Sequence, residues 1–191
     1  MKGPGEDVRD ADLIRRALDG EDRAFTLLMR RYSGPLFLFI RRYVGAPDAA
    51  QDILQDSFVA AWSALDRYDT GRPLGAWLRA IALNKCRDRG RRLGLRRLIL
   101  GDPESEEARR QPDPAPSGDE ILLANERRAT LEAAIAALPA KLKEPLLLTC
   151  FEGLSQQEAA EALGTTVKAI ETRVYRARRR LSEALEHPQN E

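Results

Sequence analysis

Asp48, Asp52 and Asp56 recur four residues apart with Gln55 among them, which on a helix places three carboxylates and an amide along one face. Like charges at that spacing repel by a few tenths of a kcal/mol per pair, a cost that a basic protein surface would offset. A solvated helix face is the plain alternative. A divalent cation is a poorer match, because carboxylates on a single rigid helix cannot surround an ion. A second constellation spans residues 77–92, where Arg79, Lys85, Arg87 and Arg91 are interleaved with Trp77 and Asn84, and the preceding loop adds Tyr68, Asp69 and Arg72. Cations beside aromatic and amide groups suit a nucleic acid with unstacked bases, through stacking and edge hydrogen bonds. Trp77 itself falls on an apolar stripe and reads as core.

The third constellation is SQQEAAEALGTTVKAIETRVYRARRRL at 155–181. Ser155 and Glu158 form a capping box, small Ala159 and Ala160 permit close helix approach, and Gly164 suits a tight turn. Thr165 or Thr166 can cap the next helix, which Ile170 and Val174 anchor inward. This is a helix-turn-helix pattern, whose second helix enters a major groove. Lys168, Glu171, Thr172, Arg173, Tyr175 and Arg176 form the outward face. Arginine can pair with guanine, glutamate can accept from cytosine, and threonine can meet a thymine methyl. Arg178, Arg179 and Arg180 suit phosphates or a protein partner.

No Gly-rich phosphate loop, nucleophile elbow or histidine acid–base pair is present, so no catalytic residue, metal ligand set or cofactor is expected. His187 lies in a polar tail and is expected to be inert. Cys86 and Cys150 fall in helical segments and read as buried apolar fillers. Two cysteines and one histidine exclude a disulfide framework or a Cys/His zinc site from this chain alone, and a reducing, cytoplasmic setting follows. No apolar run approaches a bilayer span, so no membrane insertion is expected.

The elements that must position these groups read as all-α. The 191 residues carry 31 Lys+Arg and 30 Asp+Glu, a net charge of +1 that taken alone argues against a nucleic-acid partner. Resolved along the chain, the charge is segregated. Residues 76–97 hold eight basic residues against Asp88, and residues 166–180 hold six against Glu171. Residues 102–120 hold seven acids against Arg109 and Arg110, and residues 44–69 hold five against Arg67. Separate blocks set separate local potentials.

Residues 101–118 are Pro-rich and acidic and read as an extended linker. The expected organisation is two small helical domains: a disordered 1–9, a domain at 10–97, a linker at 98–118, a helix-turn-helix domain at 119–187 and a tail at 188–191. The first domain reads as helices from Asp10, from Asp22, on from Leu36 after a break or kink at Gly34-Pro35, from Pro47, and from Leu74 to about Arg92, with a polar loop at 66–73. In the second, a helix from Glu120 stops at Pro139, and Pro145 reads as the first turn of a short helix ending at Gly153.

The motifs AFTLLMRRY (24–32), DAAQDILQDSFVAAW (48–62), AWLRAIALNKCRDRGRR (76–92), LPAKLKEPLLLTCFEGLSQQEAAEALG (138–164) and TVKAIETRVYRARRRL (166–181), in this order, resemble bacterial sigma factors of the extracytoplasmic-function (ECF) group. The resemblance covers about residues 10–97 and 120–186; one departure is Pro73-Leu74-Gly75, where members often carry an aromatic. It implies a region-two fold followed by a region-four fold. Asp48, Asp52, Gln55 and Asp56 would then grip the clamp coiled coil of core RNA polymerase. Tyr68, Asp69, Arg72, Arg79, Asn84, Lys85, Arg87 and Arg91 would read a melted minus-ten element, and Thr166, Lys168, Glu171, Thr172, Arg173, Tyr175, Arg176 and Arg179 a minus-thirty-five element. The implied partners are core polymerase (clamp and flap), promoter DNA and an anti-sigma factor, with the chain a cytoplasmic monomer, nucleoid-associated in holoenzyme. A linker of some twenty residues reaches at most ~70 Å at ~3.3 Å per residue, about two turns of B-DNA. From the residues alone, a helix-turn-helix regulator with a helical sensor domain and a metal-dependent nuclease using the aspartates remain alternatives.

Overall fold

The computed structural model describes residues 9–100 and 119–186, and every regular element among them is helical. The expected disordered 1–9 (save Arg9), most of the linker, His187 and the 188–191 tail lie outside the described residues. α1 (Asp10–Leu18) buries Leu13, Ile14 and Ala17, then ends at Gly20, whose φ of +92° is open to glycine at little cost. α2 (Asp22–Val44) carries Ala24, Leu28, Leu36, Phe39, Ile40 and Tyr43 on its buried side. Of the break or kink expected at Gly34-Pro35, no break occurs: α2 continues as one helix through Pro35. Proline removes one backbone donor there, but Leu28, Leu36, Phe39 and Ile40 stay in register on one stripe, so core packing holds the helix across the gap.

α3 (Pro47–Ser63) starts on Pro47, whose fixed φ suits a first turn, and buries Ala50, Ile53, Leu54, Phe58 and Ala61. A short 3₁₀ turn (Leu65–Arg67) opens the 66–73 loop and pins it by buried Leu65. α4 (Leu74–Leu100) extends beyond the expected end near Arg92 and into the first residues assigned to the linker. Its buried positions, Leu74, Leu78, Ala82, Leu83 and Cys86, stop well before its end. Leu95 and Leu98 are exposed, so the last turns of α4 project past the core.

The second group begins with α5 (Asp119–Ala137) and α6 (Ala140–Leu146). Pro145 lies at the end of α6 and not in the first turn of a new helix. The chain continues as a wide π turn over Leu147–Phe151, closed by the Glu152 amide donating to the Leu147 carbonyl at 3.1 Å. The Thr149 hydroxyl donates to the Pro145 carbonyl at 2.8 Å. Pro145 has no amide to donate to the Lys141 carbonyl, so the missing bond falls inside α6, one turn before the widened segment. Gly153, at φ +69°, ends the segment where expected.

α7 (Gln156–Leu163) and α8 (Val167–Glu186) follow. One apolar cluster joins the two groups: Leu28, Phe39, Ile40 and Cys86 of the first pack in the same core as Ile135, Leu146, Leu147 and Ile170 of the second.

Candidate functional site

The helix-turn-helix is set by local chemistry. The Ser155 hydroxyl accepts from the Glu158 amide at 3.2 Å, and the Glu158 carboxylate accepts from the Ser155 amide at 2.8 Å. The Ser155 hydroxyl, which donates to the same carboxylate at 2.7 Å, and then the Ser155 amide hold the Glu158 carboxyl below its usual range. Gly164 adopts the left-handed conformation, φ +60° and ψ +44°, ending α7. The Thr166 hydroxyl then accepts from the Ala169 amide at 3.2 Å, capping α8. On α8, Ile170 and Ala177 are fully buried, with Val167, Val174 and Leu181 packed beside them. That inward stripe leaves Thr166, Lys168, Glu171, Thr172, Tyr175, Arg176 and Arg179 exposed together, with Arg173 half-buried at their edge. Tyr175 is 68% exposed, a large ring with no structural employment. Lys168 and Glu171 pair at 3.3 Å, and Arg179 and Glu183 at 3.3 Å, contacts weak enough to yield to a ligand.

On α3, Asp48, Asp52, Gln55 and Asp56 are all exposed, while Ile53, Leu54 and Ser57 between them are buried. Val59 and Trp62 continue that surface at 65% and 43% exposure; the Trp62 ring packs tilted against Phe25 with centroids 4.8 Å apart. Across a cleft of about 140 Å³ from Asp52 and Asp56 lie Lys85, Arg89 and Arg92 of α4. Lys85 therefore stands beside the acidic face.

The remaining minus-ten candidates divide into two sets. Tyr68 stacks on Trp77 at 4.9 Å between centroids and donates its hydroxyl to the Arg72 carbonyl, which fixes the loop. The Asp69 carboxylate accepts from the Gly71 amide at 2.9 Å and pairs with Arg72 at 3.5 Å. Asp69, Arg72, Asn84 and Arg91 are exposed, Arg91 pairing with Asp88. Trp77 is half-buried against the core, as its stripe position required. Arg79 and Arg87 face elsewhere, into the second group of helices. Arg87 donates to both carboxylate oxygens of Glu144, at 2.8 and 2.6 Å, and Arg79 pairs with Glu152 at 3.2 Å.

These two pairs belong to a larger polar seam. The Tyr43 hydroxyl donates to Glu144 at 3.1 Å, and Lys143 Nζ donates to the Tyr43 carbonyl at 2.8 Å and to the Ala136 carbonyl. Arg41 pairs with Glu132 at 3.2 Å, and Arg42 lies 4.6 Å over the Phe151 ring. Burial pushes the Lys143 ammonium down to about 8 and the Cys86 thiol up to about 12. Burial also raises the Glu152 carboxyl, against the opposing pull of Arg79 and Arg42. The hydrogen bonds from Arg87 to Glu144 raise the guanidinium further above its already high range. Glu144, Glu152, Lys143 and Tyr43 escaped the sequence reading; the one signal was a Lys-Glu pair set immediately before an apolar run. Cys150, expected buried, is exposed, with an Arg178 nitrogen 3.3 Å from its sulfur. Among the described residues no cluster of His, Cys, Asp or Glu could hold a metal ion, and no helix is long and apolar enough to cross a membrane.

Residues 28–96 match the family described as Sigma-70 region 2, and residues 128–181 match Sigma-70, region 4. The RNA polymerase sigma factor NccH of Alcaligenes xylosoxydans xylosoxydans is 38% identical over 181 residues, covering 94% of this chain and 96% of that protein. A solved structure of CnrH in complex with the cytosolic domain of CnrY matches at a TM-score of 0.64 with 33% identity, over 94% of this chain and 99% of that one. The sigma factor RpoE in complex with the anti-sigma factor NepR, from Bartonella quintana, matches at a TM-score of 0.69 with 27% identity, over 86% and 98%. With an exposed acidic helix face, a basic helix beside an aromatic loop and a capped helix-turn-helix in the order that both family regions match, the chain belongs to the ECF family of RNA polymerase sigma factors.

Proposed function

We propose that this chain recruits core RNA polymerase to promoters and opens the duplex there by binding alone, without catalysis of its own. Two domains, at residues 10–97 and 119–187, divide that work across the linker. The observation that carries the reading is the separation of exposed faces: an acidic one on α3, a polar and cationic one on α8, and a mixed aromatic and basic one around the 66–73 loop.

In this reading Asp48, Asp52, Gln55 and Asp56 meet the basic clamp coiled coil, with Val59 and Trp62 supplying apolar area, and the second domain meets the flap. α8 lies in the major groove of the minus-thirty-five element, where Arg173 and Arg176 can pair with guanine, Glu171 with cytosine, and Thr172 with a thymine methyl. Thr166, Lys168, Tyr175 and Arg179 contact the backbone or neighbouring bases. Tyr68, Asp69, Arg72, Asn84, Lys85 and Arg91, joined by Arg79 and Arg87, hold the melted minus-ten strand by stacking and charge. The chain acts as a monomer in the cytoplasm, on the nucleoid when in holoenzyme, and an anti-sigma factor restrains it by covering the polymerase-binding faces.

Gel filtration with core polymerase tests the assignment. The wild-type chain co-elutes, and Asp52→Ala/Asp56→Ala does not while keeping its helical circular dichroism. Co-elution of the double variant removes the α3 face from the interface. Dimerisation with operator binding in the absence of polymerase would instead identify a conventional regulator.

A further inference from the structure

The 66–73 loop and the first turn of α4, which the proposed function places on the minus-ten strand, are braced by residues outside that set. Asp10, the first residue of α1, accepts from the Tyr32 hydroxyl through one carboxylate oxygen and from Arg31 through the other. α1 also packs on the 3₁₀ turn that opens the loop. Burial, and then the bond to Asp10, push the Tyr32 hydroxyl up to about 12, so it stays a donor at any working pH. Burial, then Asp10 and Asp69, likewise raise the Tyr68 hydroxyl, so Asp10 lies near enough to be felt within the loop. The edge of the Tyr32 ring rests on α4 itself. A Cβ added at Gly75 would lie 3.1 Å from Tyr32 Cε1 and 3.5 Å from Arg79 Nη1. Glycine is a poor helix former, and Gly75 has no positive φ to require it. Close approach of the ring is what its missing side chain permits.

We infer that Tyr32 and Asp10 are positioning residues for the minus-ten loop: their hydrogen bond holds the ring against Gly75 and sets how the loop feeds into α4. The inference rests on the minus-ten reading of that loop. A loop fixed in advance presents Tyr68, Asp69 and Arg72 to an unstacked strand without an ordering cost at the moment of capture. Loosening the brace adds that cost to capture. On paired DNA, capture must also offset unpairing, so the added cost appears as lost opening. On a strand already unpaired, the same capture has binding energy to spare.

The test is run-off transcription by reconstituted holoenzyme from one genomic promoter fragment that the wild-type holoenzyme transcribes. The fragment is used fully paired and with its minus-ten segment mismatched open. Tyr32→Phe keeps the ring and loses the hydroxyl; it should lower the yield from the paired template ~10-fold and from the open one less than ~3-fold. Co-elution with core polymerase should not change. Asp10→Ala should match it, and the double variant should fall no further, since both remove one bond. Asp10→Asn, whose amide oxygen still accepts the hydroxyl, should recover most of the yield. An equal fall on both templates, additive losses or an unchanged yield would each overturn the positioning role. Should Asp10→Ala lose helical signal, Gly75→Ala, which displaces the ring and leaves both bonded partners in place, carries the test with the same split between templates. Tyr68→Ala/Arg72→Ala probes the underlying reading. No loss on the paired template there removes the loop from the minus-ten strand, a failure distinct from failure of the brace.

Discussion

Two glycines with similar positive φ bear on how firmly the two groups of helices pack. Gly20 has φ +92° and Gly45 φ +84°, both in the region that side chains avoid. A Cβ added at Gly20 would meet nothing within 4 Å, whereas one at Gly45 would lie 3.0 Å from the Ala136 Cβ of α5. Gly20→Ala therefore reports backbone strain alone, about 1–2 kcal/mol. Gly45→Ala carries positive-φ strain of its own plus a contact too short to keep, and pushing α5 away should add roughly 1–3 kcal/mol. Removing the opposing methyl by Ala136→Gly costs about 1 kcal/mol of helix propensity by itself but should cancel that surplus in the double variant. Urea denaturation of the four proteins gives the coupling directly. A cost of Gly45→Ala that Ala136→Gly does not relieve would refute the packing of α5 into this notch.

Other expectations follow from single contacts. Ile170→Ala, which empties a fully buried position under α8, should destabilise the protein by about 2–5 kcal/mol in thermal unfolding. Ser155→Ala removes the capping box and should cost about 1 kcal/mol, measured the same way. Lys143, held down to about 8 by burial from an ordinary 10.5, loses its proton in the folded form before the unfolded chain does, so stability rises with pH above 8. Cys86, raised from 9.0 to about 12, works in the opposite direction from about pH 9 upward. The rise is thus confined to the interval between pH 8 and 9, at no more than ~1.4 kcal/mol per unit, and Lys143→Met should abolish it in urea titrations across that interval. Iodoacetamide should label the native chain once, at exposed Cys150, and the unfolded chain twice; rapid native labelling of Cys86 would contradict its burial.

The helix-turn-helix was legible because its determinants are local. Ser155 and Glu158 are three residues apart, Gly164 ends α7 by its own conformation, and the stripe from Val167 to Leu181 is periodic. The acidic face of α3 was legible for the same reason. Pro35 and Pro145 have local effects that the sequence shows, but α2 continues past the first and α6 already contains the second, because the flanking apolar residues pack on both sides of each. Charge and spacing on α4 point Arg79 and Arg87 toward a ligand, since they say nothing about what lies opposite. The partners that hold Arg87 and Tyr43 are 57 and 101 residues away in the chain. No short-range pattern encodes such a contact, and Glu144 reveals its employment only when α6 folds back over α2 and α4.

The arginines of α4 precede Glu144 and Glu152 in the order of synthesis. At ordinary translation speeds the ribosome needs roughly 2–9 s to pass from Leu100 to Glu144. Throughout that interval Arg79 and Arg87 have been made and their carboxylates have not. The nascent chain thus carries an uncovered cationic helix alongside ribosomal RNA, and its exposure ends only when translation delivers the acids that cover it.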